Sequence, residues 1–229
     1  MSIQLQPATA PGRPVLSPLA LNAVVASTLM ALSNATFWGH LFRIFDGRPV
    51  SAMVFAGAVW ALLLLVLSLV AVRRAQRPVL VLLLMTAAVT SYYVDVLGVV
   101  VDREMIQNAM TTTLAESKHL VTIRFLTHVA IWGVLPSLLV LWVNVRRTPV
   151  LRALLGWMLQ GAGLAVLVVG LLFTNFKGYA TVLRADKELM ASVQPLAPVA
   201  GALRYAKMML RSTRVVVQPT GADARPGAH

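Results

Sequence analysis

Residues 49–72 read PVSAMVFAGAVWALLLLVLSLVAV, 24 positions without a charge, held between Arg48 and Arg73. A helix crosses a hydrocarbon core of ~30 Å with ~20 apolar residues, each rising ~1.5 Å. The stretch therefore predicts a transmembrane helix. Other charge-free windows hold 29 residues between Arg13 and Arg43, 17 between Arg77 and Asp95, 21 between Arg124 and Arg146, and 24 between Arg152 and Lys177. The 17-residue window reaches spanning length if Asp95 sits at the membrane surface beside Tyr92 and Tyr93, whose rings suit that interface. Pro136, inside the fourth window, is expected to kink its helix rather than end it. The first window follows a one-arginine leader and is too long for a signal-peptide core, so it reads as a retained span.

Composition agrees. Of 229 residues, 58% are hydrophobic and 12% charged, with mean hydropathy +0.77. A soluble domain carries about a quarter charged residues, so too little polar surface remains to cover a water-soluble globule. The net charge is +12. A basic chain can signal nucleic acid, but here the basic residues lie between apolar runs. That arrangement points to anionic headgroups of the bilayer and away from nucleic acid. With no cysteine, disulfides and thiolate metal sites are excluded.

Charge also predicts orientation. When the segments joining five spans are sorted alternately to two sides, one side collects Arg13, Arg73, Arg74, Arg77, Arg146, Arg147 and Arg152 and no acid. All eight acids fall on the other: Asp46, Asp95, Asp102, Glu104, Glu116, Asp186, Glu188 and Asp223. Short cytoplasmic loops are rich in Lys and Arg, which puts the N-terminus in the cytoplasm and the C-terminus outside. The expected fold is an all-α membrane protein of five transmembrane helices. It divides into a cytoplasmic tail (1–14), the membrane domain (15–178), a juxtamembrane segment outside (179–214) and a Pro/Gly-rich linker (215–229).

Two outside segments are too polar to be simple connectors. Between spans three and four, Asp102 reads as an N-cap for a short helix running Arg103-Glu104-Met105-Ile106-Gln107-Asn108. Thr113-x-x-Glu116 follows as a capping-box pattern, and predicts that the fourth span takes over near Thr112. After span five, Arg204, Lys207, Arg211 and Arg214 recur at helical spacing among Leu203, Ala206, Met209 and Leu210. This is the pattern of a basic amphipathic helix on a membrane surface.

Candidate chemistry concentrates in the first of these segments. Asn108, Thr112 and Glu116 are four apart and share one face of a continuous helix. Together an amide, a hydroxyl and a carboxylate can hold an ammonium and a phosphate. Equally, Glu116 can close the capping box while Asn108 and Thr112 face water, and spacing leaves both readings open. His40, His119, His128 and His229 show no metal-ligand spacing. His128 falls within span four, where a neutral imidazole bonded to a neighbouring helix is the simplest role. Asp95, at a span end, reads as a capping or surface residue. No phosphate-binding loop, nucleophile elbow or metalloprotease motif is present.

Ser91-Tyr92-Tyr93, Gly98, Asp102-Arg103-Glu104-Met105-Ile106-Gln107-Asn108 and Ala115-Glu116 resemble the membrane domain of lipid A phosphoethanolamine transferases, the enzymes of polymyxin resistance. Gly133-Val134-Leu135-Pro136-Ser137 and Phe176-Lys177-Gly178-Tyr179-Ala180, with Arg184 and Lys187, extend the resemblance over residues 20–200. It implies a bacterial inner-membrane protein that moves phosphoethanolamine from phosphatidylethanolamine to a lipid A phosphate. It also implies that Asn108, Thr112 and Glu116 bind the phosphoethanolamine group. The family's threonine nucleophile and zinc belong to a separate catalytic domain. No such motif occurs here, so no catalytic or metal residue is expected in this chain, and residues 215–229 read as the approach to that domain. Leu97 stands where the family often has an aromatic residue, a departure at the point where the resemblance implies a ring contact to the substrate. Membrane anchors of phosphoglycerol transferases resemble the chain more distantly. A small transporter is disfavoured by the lack of inverted repeats and of charges within the spans.

Overall fold

The computed structural model describes residues 12–70, 75–111, 120–146 and 149–212. Helices α1 (Pro18–Leu32), α2 (Ala35–Ile44), α3 (Pro49–Val70) and α4 (Gln76–Leu97) form the first half. They are followed by α5 (Arg103–Thr111), α6 (Ile123–Trp142) and α7 (Val150–Phe173), then α8 (Phe176–Ala185), α9 (Lys187–Ala191) and α10 (Leu196–Ser212). Two short strands, β1 (Val15–Leu16) and β2 (Asn144–Val145), pair in parallel.

Among the described residues, four helices, α3, α4, α6 and α7, are long and apolar enough to cross a membrane. The first window differs from the expected single span. It breaks into α1 and α2, bent by 71°, and yields a fifth crossing only if the pair is counted as one. The cause lies at Asn34. Its Nδ2 donates to the Leu29 carbonyl at 2.8 Å, and the Trp38 indole donates to the Met30 carbonyl at 2.8 Å. The Leu29 carbonyl also accepts from the Ser33 N–H at 3.0 Å, so backbone and side-chain donors together close the end of α1. α1 has 15 residues, about 22 Å.

The fourth span starts later than the sequence suggests, at Ile123, where Thr122 Oγ1 accepts from the Phe125 N–H at 3.2 Å. The Thr113/Glu116 capping box lies outside the described residues. Pro136 does not end α6. A wider turn over Ala130–Val134, with the Leu135 N–H reaching back to the Ala130 carbonyl, absorbs the missing donor and the ring.

The core joins α1, α3 and α4 through Leu21, Val25, Leu29, Phe55, Leu63, Leu67, Leu80 and Leu84, all buried. α4 and α6 meet closely at Gly133, where a Cβ would lie 2.9 Å from Ala88 Cβ and 3.1 Å from Met85 Sδ. Small residues allow such approaches where lipid supplies no hydrophobic drive between helices. α7 packs along α3, yet Val168 is its one buried residue. Leu151, Leu159, Val166 and Phe173 point outward, an apolar surface matched to acyl chains rather than water.

Acidic side chains sort to one end of the bundle, while basic ones occur at both. At one end Arg77 donates to the Val143 carbonyl, beside the β1–β2 pair, and Gln76 Nε2 donates to Pro18 O and Asn22 Oδ1. Asp46, Asp102 and Asp186 on the connections, with Asp95 in the last turn of α4 and Glu188 in the first turn of α9, lie at the opposite end. There α2, α8 and α9 make a layer across the bundle, with Phe37, Leu41, Phe45, Tyr179 and Leu189 buried beneath it. Tyr179 anchors the layer: its hydroxyl donates to the Ser51 carbonyl at 3.1 Å and its ring packs on Phe45 and Phe55.

Candidate functional site

At the acidic end, Gly98 adopts φ +64° and stops α4. A left-handed residue there turns the chain sharply, and glycine does so without a Cβ clash. Asp102 then caps α5, its Oδ1 accepting from the Met105 N–H at 2.9 Å. The sequence predicted this cap correctly. α5 leans on α10 at Gly201, where an added Cβ would meet Ile106 Cδ1 at 3.0 Å and the Asp102 carbonyl carbon at 3.1 Å.

Asn108 lies two residues beyond Ile106, about 200° around the helix, so it faces away from α10. It is exposed. Thr112 and Glu116 lie outside the described residues, so only Asn108 of the three candidates has a described position. The chain leaves the described region at Thr111 and re-enters it at Leu120. Both ends of that segment are fixed, by α5 on one side and by α4 on the other.

The α4 side is an aromatic wall. Tyr93 donates its hydroxyl to the Leu120 carbonyl at 3.3 Å, and the Tyr92 hydroxyl lies 3.1 Å from Thr122 Oγ1. The rings of Tyr92, Tyr93 and Phe125 sit 5.3–5.4 Å apart. His128 meets Ser91 of α4, Nε2 to Oγ 3.1 Å, the interhelical role expected for it. Asp95 is a cap, although for another helix. Its Oδ1 accepts from the Thr36 N–H at 3.3 Å and from the Thr36 hydroxyl at 2.5 Å, at the start of α2. A carboxylate there also complements the positive end of the helix dipole.

Sequence reasoning missed the residues that hold this end together. Asn34 Oδ1 accepts from the Gln194 N–H at 2.7 Å, and Asn34 Nδ2 donates to the Gln194 carbonyl at 3.1 Å. His40, Asp186 and Glu188 converge on a second spot, their ligand atoms all within 4.8 Å of one another. Neither cluster has a local spacing signal, because its members come from opposite ends of the chain.

Thr111 and Thr181 donate their hydroxyls back to the Gln107 and Lys177 carbonyls of their own helices, at 3.1 and 2.8 Å.

Comparison with known proteins places this architecture. The profile of the family described as phosphoethanolamine transferase EptA/EptB matches residues 59–210. Phosphatidylethanolamine transferases Mcr-2 and Mcr-1 of Escherichia coli are each 36% identical to the chain, over 191 and 190 residues, covering 80% of it and 35% of their own length. Phosphoethanolamine transferase EptA of Escherichia coli K12 is 32% identical over 161 residues, 68% of this chain and 27% of that protein. The chain thus spans about a third of the length of the curated relatives it matches. The solved structure of lipooligosaccharide phosphoethanolamine transferase A (EptA) from Neisseria meningitidis shares the fold. It superposes with a TM-score of 0.82 at 20% identity, over 91% of this chain and 41% of that one.

Proposed function

Because the chain belongs to the phosphoethanolamine transferase EptA/EptB family, we propose that its bundle is the lipid-binding membrane domain of such an enzyme. In this reading it holds phosphatidylethanolamine while phosphoethanolamine passes to a lipid A phosphate. The observation that carries it is the match over residues 59–210, which runs from within α3 into α10 and includes the whole segment bearing Asn108, Thr112 and Glu116.

The geometry favours the same reading. A headgroup site must sit at the depth of the lipid phosphates, and α5 lies at one end of the bundle beside interfacial tyrosines. Glu116 supplies the counter-charge for the primary ammonium. Asn108 and Thr112 supply neutral hydrogen bonds, to the phosphate oxygens or to the ammonium. A primary ammonium has three N–H donors and the quaternary ammonium of phosphatidylcholine has none, so such a site selects phosphatidylethanolamine by hydrogen bonding. The acidic end faces the periplasm and the Arg77/Arg146 end the cytoplasm of an inner-membrane protein. Nucleophile and zinc, which the transfer itself requires, are assigned to the further length that the relatives possess. Measured binding of phosphatidylethanolamine against phosphatidylcholine, with Asn108 and Glu116 replaced, tests the proposal.

A further inference from the structure

The layer of α2, α8 and α9 brings together three side chains that the lipid site does not use. His40 comes from α2, Asp186 from the α8–α9 turn and Glu188 from the first turn of α9. One ligand atom of each lies within 4.8 Å of the other two, and His40 Nδ1 is 4.0 Å from Asp186 Oδ2. We propose that His40, Asp186 and Glu188 form a binding site for one divalent transition-metal ion of the zinc class.

Three features support it. Asp186 is oriented in advance: its Oδ1 caps α9 by accepting from the Leu189 N–H at 3.0 Å, which leaves Oδ2 toward His40. Hydrogen bonding of a ligand carboxylate in this way is typical of metal sites. The His40 lone pair is directed into the cluster. Arg43 Nη2 lies 3.4 Å from His40 Nδ1, and a guanidinium only donates, so Nδ1 presents an acceptor there. The same nitrogen lies 4.0 Å from Asp186 Oδ2, so a cation already occupies the focus of the two groups. Arg43 has 68% of its side chain exposed and swings clear without unpacking the core.

The donor set is one imidazole and two carboxylates. That is a three-ligand arrangement of the kind that leaves a fourth position open. At metal–ligand distances of ~2.1 Å, tetrahedral ligands stand ~3.4 Å apart. The cluster therefore closes by side-chain rotation alone. Phe37 and Leu41, buried to either side of His40 along α2, fix the backbone against the layer below.

The test uses the untagged 229-residue chain in neutral detergent, equilibrated with zinc, desalted and analysed for metal per chain. Wild type and Arg43→Ala should each hold one equivalent more than His40→Ala and Asp186→Asn. Asn preserves the α9 cap, so loss of metal in Asp186→Asn is not a folding effect. Glu188→Gln, at an exposed position, should weaken binding about tenfold or more. Equal zinc content in wild type, His40→Ala and Glu188→Gln would overturn the site and leave Asp186 as the ion-pair partner of Arg43.

Discussion

Asn34 and Gln194, 160 residues apart, clasp one another through side-chain amide and backbone: Oδ1 takes the Gln194 N–H at 2.7 Å and Nδ2 gives to its carbonyl at 3.1 Å. Both are buried, at 1% exposure. The pair locks the α1–α2 break to the turn before α10 and so sets where α10 meets α5. Asn34→Ala leaves the Gln194 N–H unpaired, which costs about 1–3 kcal/mol. A lower Tm in detergent is expected. Asn34→Asp should do no better, since it keeps the acceptor but turns a carboxylate oxygen toward the Leu29 and Gln194 carbonyls. A Tm unchanged in both variants would remove the clasp from the account.

Gly201 is the contact between α10 and α5. A methyl there meets Ile106 Cδ1 at 3.0 Å and the Asp102 carbonyl at 3.1–3.2 Å. The Ile106 side chain can give way, but the Asp102 backbone cannot. Gly201→Ala is expected to cost about 1–3 kcal/mol as overpacking and to weaken phosphatidylethanolamine binding. Adding Ile106→Val should restore only part of the loss. Full recovery in the double variant would show that the backbone contact is not limiting.

Much of this was legible in the sequence. Charge-free windows gave the spans, and Asp102 gave the start of α5, because those signals are local. The α1–α2 break was not legible. Nothing in a 29-residue apolar window reveals that Asn34 will take its partners from Leu29 and Gln194. Asp95 read as a cap, but the helix it caps begins at Ala35. The described span begins at Ile123 and not near Thr112, its cap being Thr122, whose hydroxyl also meets Tyr92 of α4, a partner that local spacing does not reveal. For the lipid site, spacing left function and capping open.

Orientation makes a separate prediction. Seven basic residues and no acid are assigned to the cytoplasmic side, which places residues beyond α10 in the periplasm. A periplasmic phosphatase reporter fused after His229 should be active, and a cytoplasm-only reporter silent. The reverse pattern contradicts the five-crossing arrangement, and with it the reading of α1–α2 as one crossing.

Glu116→Gln separates charge from shape. If the carboxylate faces the lipid ammonium, removing its charge should weaken phosphatidylethanolamine binding about 10-fold, the effect of losing a charge-assisted hydrogen bond. Expression and Tm should hold. Binding unchanged, with stability reduced, would assign Glu116 to the capping box with Thr113.

The central claim is that this bundle recognises a phosphoethanolamine headgroup through Asn108, Thr112 and Glu116. The most direct measurement is headgroup-selective binding by the 229-residue chain in nanodiscs of phosphatidylglycerol. Labelled phosphatidylethanolamine is titrated against phosphatidylcholine of the same acyl composition. The account predicts preferential binding of phosphatidylethanolamine by wild type, about 10-fold or more, and loss of that preference in Asn108→Ala/Glu116→Ala with Tm unchanged. Equal affinity for the two lipids, or a preference that survives the double replacement, would contradict it.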